Sequence, residues 1–321
     1  MSIQLATISV IIPAYNRENT ILTCLVSVIN QTLQPIEIIV IDDCSADYTV
    51  KKVQDFRHPI VTVLQLDKNY GAQKARNEGI KAVKGEWIAF LDSDDEWMPT
   101  YLEEQYCLAE SKNVSIVYSG AYFDDGISRK IFPVPDYSEN TYKNLLSKPG
   151  PMFQGLFVRK KCLEEISFLD EKVVAFQEWD TAIRLAKHYR FAFNSSPLFV
   201  YNLHSGPTIS KNLKNDVLGY SYVVQKHLSE IKELAGSKVV LDHLTLIQHK
   251  FYDLKDWPKW RRTSFSILDY SNSNIFDVVF RKMVIILAPE YYQRFQHYIS
   301  PMFIIKRMYF MLFQKIKTVK S

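Results

Sequence analysis

The sequence predicts an α/β domain with a doubly wound, mostly parallel sheet, followed by a helical C-terminal extension. In the first hundred residues, apolar segments of strand length alternate with segments that have the apolar spacing of helices. The strand segments are rich in Ile and Val, as is typical of parallel strands buried on both faces. Such alternation favours a parallel sheet with right-handed crossovers.

The predicted elements follow one another in a regular order. The first strands are Ile8–Ile12, Glu37–Ile41, Val61–Leu66 and Trp87–Leu91, and the helices between them are Thr20–Gln31, Asp47–Phe56 and Ala72–Val83. Beyond Pro99 we expect helices Thr100–Ser111, Lys160–Ile166 and Glu178–His188, strands Val114–Tyr118 and Phe153–Val158, a hairpin or exposed loop at 124–136, and paired short strands within Phe191–Tyr201. From about Val217 the segments become amphipathic helices and glycine nearly disappears, which predicts a domain of residues 1–216 and a helical region of residues 217–321.

The composition is that of a globular protein without a strong surplus of charge. The chain has 39 Lys and Arg residues against 35 Asp and Glu residues, a balance that does not favour nucleic acid as a partner. Its 4 cysteines lack C-x-x-C spacing, so neither a zinc site nor a disulfide framework is predicted. The N-terminal segment has no signal-peptide pattern, and no apolar run reaches the roughly 18 residues of a spanning helix. We therefore expect a cytoplasmic protein.

A group of acidic residues directly follows the strand predicted at Trp87–Leu91. Asp92, Asp94 and Asp95 place three carboxylates within four positions, and such charges repel unless a cation or hydrogen-bond donors hold them. Carboxylate oxygens are the ligands that hard divalent ions prefer, so the segment predicts a site for Mg²⁺ or Mn²⁺. A solvated acidic turn at the end of a strand is the alternative.

Polar clusters follow three of the predicted strands, at Tyr15–Arg17, Asp42–Asp43 and Asp92–Asp95. In open parallel sheets ligands bind outside the carboxyl ends of the strands, so we expect the clusters, including Arg17 and Ser93, to form one ligand site. The phosphate-binding patterns G-x-G-x-x-G and G-x-x-x-x-G-K-[ST] are missing. The phosphates of a bound nucleotide are then expected to be held through a metal ion.

Five segments of the chain resemble motifs of family 2 glycosyltransferases, which have the Rossmann-like GT-A fold. They are Ser9–Asn16 (SVIIPAYN), Ile41–Ser45 (IDDCS), Ala75–Gly79 (ARNEG), Phe90–Asp95 (FLDSDD) and, more weakly, Gln177–Asp180 (QEWD). The resemblance covers roughly residues 6–210, and five motifs in this order are specific to the family. The C-terminal hundred residues lie outside the resemblance.

The resemblance implies a nucleotide site at the ends of the first two strands. Pro13, Ala14 and Tyr15 would line the pocket for the base. Asp43, or in its place Asp42, would contact the edge of the base.

The resemblance also assigns roles to residues nearer the reaction. Arg76 would approach the ribose and phosphates, and Asp92 would touch the nucleotide sugar. Asp94 would bind the metal ion, Mn²⁺ or Mg²⁺, and His204 would add a metal or diphosphate contact. Glu178 would be the catalytic base.

Two positions depart from the family pattern. Cys44 stands where the family usually has the glycine of an Asp-Asp-Gly-Ser turn, and the usual Glu-Asp pair appears as Gln177-Glu178. The candidate base is therefore a Glu, one methylene longer than Asp. These departures motivate an alternative function, a non-catalytic nucleotide-sugar-binding partner in an assembly.

The leading hypothesis is an inverting, metal-dependent enzyme that transfers a hexosyl or N-acetylhexosaminyl group. Its donor would be a nucleoside-diphosphate sugar, with UDP as the family's usual carrier, and its acceptor a hydroxyl of a glycan or lipid-linked glycan in surface polysaccharide biosynthesis. A third hypothesis, an aspartyl phosphatase using Asp92 and Asp94, is disfavoured. That chemistry requires its Asp-x-Asp motif on the first strand, whereas here the motif follows the fourth.

The tail, Met302–Lys317, has the pattern of an amphipathic helix with basic residues largely on its polar side. The apolar side carries Ile305, Met308, Leu312 and Ile316. Such a helix suits an anionic membrane surface, which would place the protein peripherally on the inner face of the cell membrane. The alternative is a helix packed on the main domain or on a second subunit of a homo-oligomer.

Overall fold

The computed structural model describes residues 7–203 and 212–270, together with residues 278, 281–283, 285 and 286. His204 and the predicted tail helix lie outside the described residues. The chain forms two compact units, residues 1–227 and residues 228–321.

The described part of the first unit contains one sheet of nine strands, with helices between them. The strands are Ile8–Ala14 (β1), Glu37–Asp42 (β2), Val61–Gln65 (β3), Trp87–Phe90 (β4), Glu96–Trp97 (β5), Ile116–Asp124 (β6), Arg129–Phe132 (β7), Leu156–Arg159 (β8) and Phe191–Asn202 (β9). The helices are Ile21–Ile29 (α1), Thr49–Asp55 (α2), Ala72–Ala82 (α3), Tyr101–Lys112 (α4), Thr141–Ser147 (α5), Lys160–Glu165 (α6), Gln177–Ala186 (α7) and Leu213–Lys226 (α8). A 3-10 turn, Phe153–Gly155, precedes β8. The boundary predicted after residue 216 lies within α8.

The strands run in the order β3-β2-β1-β4-β8-β6-β9-β5, with β7 paired to β6. β1 to β4 are mutually parallel and form, with α1 to α3, what we call the parallel half. This part confirms the predicted doubly wound arrangement. The remaining strands, with α4 to α8, form the mixed half, in which β8 is antiparallel to both β4 and β6.

Pro13 lies inside β1, although the sequence predicted that it would end the strand. The carbonyl of Ile11 accepts a hydrogen bond from the Leu91 N–H on the β4 side. The backbone of Pro13, two residues further on, points to the same side, but β4 has already ended there. The missing N–H of Pro13 therefore removes no hydrogen bond between β1 and β4. β1 therefore continues to Ala14, which pairs with Asp42 at the end of β2.

β9 is one long strand, so the prediction of paired short strands within this segment is wrong. It pairs in parallel with β6, and the register shifts on both sides of Gly120. A Cβ at Gly120 would lie 3.0 Å from the Ser196 carbonyl oxygen, so the glycine allows the strands to approach closely. The irregularity bends the strand locally without ending it.

The second unit is helical over its described residues, as predicted for the C-terminal extension. It contains Leu228–Glu230 (α9), a π-helical turn Ile231–Ala235, Ser237–Asp253 (α10) and Trp257–Tyr270 (α11). The Gln248 amide donates to the Ser264 hydroxyl over 2.6 Å and joins α10 to α11 beside the buried Trp260. Within the described part of the chain, no helix has both the length and the apolar character that crossing a bilayer requires.

Candidate active site

The ends of β1 and β4 are joined by an ion pair at the rim of the sheet. Arg17 Nη2 lies 3.2 Å from Asp94 Oδ2. Arg17 Nη1 donates to the carbonyl oxygens of Tyr15 and Asn16, which fixes the guanidinium beside the carboxylate. Two of the clusters predicted from the sequence therefore meet in space.

The turns after β1 and β2 hold each other through side chain to backbone hydrogen bonds. Ser45 Oγ accepts from the Asn16 N–H, and Asn16 Oδ1 accepts from the Ala46 N–H. Cys44 has a positive φ of 65°, so it adopts the left-handed conformation that favours glycine. The cysteine at this position thus keeps a glycine-like backbone conformation.

Asp43 is buried and holds the turn that starts α3. Its carboxylate accepts from the N–H groups of Tyr70 and Gly71 over 2.8 and 2.7 Å. Asp42, also buried, accepts from the Ser45 N–H. Both residues lie at the predicted place, beside Tyr15, whose side chain is 44% exposed at the end of β1. A contact of Asp43 or Asp42 with a base stays a prediction.

Arg76, on α3, joins the parallel half to the mixed half. Its Nη2 lies 2.6 Å from Asp92 Oδ1. Its Nη1 donates to Gln177 Oε1 over 3.1 Å, and its guanidinium lies 4.3 Å from the centre of the Phe153 ring. The side chain is almost fully buried, and an arginine in such a setting needs these partners because its charge is desolvated.

Gln154 holds two of the three acidic residues and was not singled out from the sequence. Its Nε2 donates to Asp92 Oδ2 over 2.8 Å and to Asp95 Oδ2 over 2.6 Å. The Asn202 N–H donates to the other oxygen of Asp95. Burial raises the pKa of Asp95 well above its usual range, and the charges of Asp94 and Asp92 raise it further. Gln154 belongs to no sequence motif and is distant in sequence from these carboxylates, so its contact with them could not be predicted from the sequence.

Glu178, the predicted base, lies in the first turn of α7. Its side chain is half-buried. Burial raises its pKa, while the Arg76 charge lowers it and the Asp92 charge raises it. The neighbouring Gln177 accepts a hydrogen bond from Arg76, so the start of α7 is tied to the Arg76–Asp92 ion pair one residue before Glu178.

The remaining predicted residues are placed as follows. Pro13, Ala14 and Ser93 are buried at the strand ends beside the exposed Tyr15. In the part of the chain that the structure describes, no three His, Cys, Asp or Glu side chains are grouped closely enough to hold a metal ion by themselves. His204, the predicted second ligand, lies outside that part.

Comparisons with known proteins show which family the chain resembles. The family model described as glycosyl transferase family 2 matches residues 9–166. An uncharacterized glycosyltransferase of Bacillus subtilis, YwdF, is 32% identical over 193 residues, which are 57% of this chain and 69% of YwdF. The Escherichia coli protein WfaP, named as a UDP-Glc:alpha-D-GlcNAc-diphosphoundecaprenol beta-1,3-glucosyltransferase, is 39% identical over 134 residues, which are 40% of this chain and 51% of WfaP.

A solved structure shares the fold. Residues 1–349 of Staphylococcus aureus TarS, crystallised with UDP-GlcNAc, superpose with a TM-score of 0.65 and 19% identity, covering 90% of this chain and 87% of that one. The likeness confirms the predicted GT-A fold.

Proposed function

The chain belongs to glycosyl transferase family 2 and is a glycosyltransferase, and on this premise we propose that it is an inverting, metal-dependent enzyme acting on a UDP-sugar. The acceptor would be a hydroxyl of a glycan or lipid-linked glycan in surface polysaccharide biosynthesis. The observation that carries the proposal is the position of Glu178 in the first turn of α7, directly after Gln177, which accepts a hydrogen bond from Arg76 of the Arg76–Asp92 ion pair. The names of WfaP and of the TarS complex support UDP as the carrier.

The donor would lie across the carboxyl ends of β1, β2 and β4. Tyr15 and Asp43 would meet the base, and Arg76 and Asp92 would meet the ribose, phosphates and sugar. Arg17 offers a second guanidinium at the same rim. Guanidinium groups suit a diphosphate because they combine positive charge with several donors in a fixed plane.

Asp94 fits a metal ion that is shared with the donor. Mg²⁺ is commonly held by one or two carboxylates together with substrate phosphates, so one protein carboxylate is an adequate start for such a site. Asp94 would be the protein ligand, and His204 is proposed as a further one. A bound divalent ion would offset the charge that develops on the departing diphosphate.

Glu178 would remove the proton of the acceptor hydroxyl as that oxygen attacks the anomeric carbon. A raised pKa makes the ionised carboxylate a stronger base near neutral pH. One base with one displacement inverts the anomeric centre. The helix start that carries Glu178 is tied to Arg76 through Gln177, so base and donor-binding residues keep a fixed relation.

A donor screen tests the proposal. UDP-, GDP- and dTDP-sugars would be offered with Mn²⁺, and the linkage and anomeric configuration of any product determined. We expect transfer from a UDP-sugar with inversion, and loss of transfer in excess EDTA and in Asp94→Ala. Asp125→Ala, on the exposed turn after β6, is the matched control and should keep full activity. Retained transfer in EDTA, or a retained anomeric configuration, would contradict the proposal.

The departures at Cys44 and Gln177 favour testing a second candidate, a nucleotide-sugar-binding partner without turnover. Calorimetry that shows UDP binding, with neither transfer nor slow hydrolysis of any donor, would support it. Turnover that is lost in Glu178→Gln would exclude it. The predicted attachment of the tail to the inner membrane face is tested separately, by sedimentation of the full chain with anionic vesicles.

A further inference from the structure

The turn that starts α7 has an unusual backbone conformation. Phe176, the residue before Gln177, has φ 59° and ψ 35°, in the left-handed region. An aromatic residue persists there only when its surroundings hold it, and such residues cluster at functional sites. No side chain caps this end of α7, so contacts from other parts of the chain must stabilise the conformation of Phe176.

Helix α8 packs directly against this turn. A Cβ at Gly219 would lie 2.7 Å from the Ala175 backbone nitrogen, so α8 approaches as closely as a glycine permits. The Tyr220 ring, next along α8, lies 5.1 Å from the Phe176 ring and 5.0 Å from that of Trp179. The backbone before Phe176 and its side chain are therefore both held by α8.

The end of α8 is tied to α7 through the buried carboxylate of Asp180. Lys226 Nζ lies 2.8 Å from Asp180 Oδ1 and 2.7 Å from Asp170 Oδ2. His227 Nε2 lies 2.9 Å from the same Asp180 oxygen. Burial alone would raise the pKa of Asp180, but the hydrogen bonds from His227 and Lys226 hold it below its usual value. Asp180 is fully buried and two residues from Glu178, so α8 fixes the first turn of α7.

We propose that α8 is a positioning element for the base: Gly219, Tyr220, Lys226 and His227 hold the Phe176 turn and Asp180, and so set where Glu178 meets the acceptor. These residues lie beyond the part of the chain that the family model matches. The inference rests on the proposed function, since it assigns α8 a part in the chemical step. Donor binding would depend mainly on the strand ends of the parallel half, and α8 would reach it only indirectly, through the Gln177–Arg76 hydrogen bond.

Two variants test the proposal by separating turnover from binding. Gly219→Ala forces the Ala175 backbone to move, and Lys226→Met removes the cation from Asp180. In both we expect kcat to fall by at least about tenfold, because small displacements of a reacting group are costly, while the Kd for UDP stays within about twofold. Lys226→Arg should restore most of the turnover. Ser221→Ala is the control on the same helix, since its hydroxyl donates within α8 to Val217.

A wild-type kcat in both variants would overturn the proposal, as would an equal loss of UDP affinity. Amide hydrogen exchange tests whether α8 fixes the first turn of α7, even if no donor is turned over. With UDP bound, Lys226→Met should speed exchange in residues 176–180 at least about tenfold and leave β1 to β4 unchanged. Unchanged exchange in residues 176–180 would overturn the proposal. Failure of the wild-type chain to transfer any sugar would instead count against the proposed function.

Discussion

The parallel half and the mixed half of the sheet contribute different things to the site. The parallel half places its polar residues at successive strand ends, where Arg17, Asp43 and Asp92 follow apolar segments directly. The mixed half supplies Gln154 and Glu178, from a 3-10 turn and from a helix whose start is held by distant residues. We infer that the first half binds the donor and that the second carries the chemistry and the support of the carboxylates.

The largest effect is expected in the mixed half, at Glu178, the proposed base. Glu178→Gln keeps the shape of the side chain but cannot accept a proton. Transfer should fall by about 10²- to 10⁴-fold, the usual contribution of general base catalysis, with the Kd for UDP almost unchanged. Steady-state kinetics and calorimetry measure the two quantities. If UDP binding were lost as well, α7 would belong to the donor site and the division would fail.

The pH dependence of kcat should report the same carboxyl. Burial raises the pKa of Glu178, and only the ionised form can act as a base. As pH drops below this raised pKa, kcat should therefore fall by about tenfold per pH unit. The decline should begin at a higher pH than it would for a solvated Glu. Because the Arg76 charge lowers the pKa, Arg76→Gln should move the acid limb to still higher pH. If kcat fell only at the pH where a solvated carboxyl titrates, the assignment of Glu178 as the base would be contradicted.

In the parallel half, the effect should appear in binding. Arg76→Gln removes a charged donor, and a hydrogen bond to a charged group contributes about 1.5–3 kcal/mol, so UDP affinity should fall by about 10- to 100-fold. Calorimetry measures this directly. Arg129→Gln, which breaks the exposed pair with Asp124 on the β6–β7 hairpin, is the control and should not change the affinity. Unchanged affinity in Arg76→Gln would remove Arg76 from the donor site.

Gln154→Leu should lower the free energy of unfolding more than Gln105→Leu does. The substitution leaves Asp92 and Asp95 without their shared amide donor, so the free energy of unfolding should fall by about 1–3 kcal/mol. Gln105→Leu is the matched control, because this buried amide donates to a neutral carbonyl, that of Gly155. Denaturant unfolding compares the two variants. Equal losses would show that the carboxylates do not depend on Gln154.

The smallest effect is expected at the tip of the β6–β7 hairpin, which belongs to the mixed half but lies away from the acidic cluster. Ile127 is 95% exposed there. Ile127→Ser should change the free energy of unfolding by no more than about 0.5 kcal/mol and leave kcat unchanged. A large loss of turnover would mean that the hairpin takes part in the reaction, for instance through the acceptor.

The parallel half could be predicted well because its signals are local. Apolar runs ended by polar residues predicted β1 to β4 to within two residues. Convergence of the strand ends follows from parallel pairing alone. β9 was predicted less well, because its continuity depends on Gly120 and Ser196, which are far apart in the sequence. Similarly, Gln154 and Asn202 lie in segments without a motif.

Neighbouring residues and the alternation of polarity specify the α/β class, the approximate extent of the parallel strands and the acidic residues that follow β4. The partner of each carboxylate depends instead on the folded structure: Arg17 for Asp94, Arg76 with Gln154 for Asp92, and Lys226 with His227 for Asp180. Buried charges must be paired, but many residues of suitable chemistry are available along the chain. The fold selects among them by bringing distant segments within hydrogen-bonding distance.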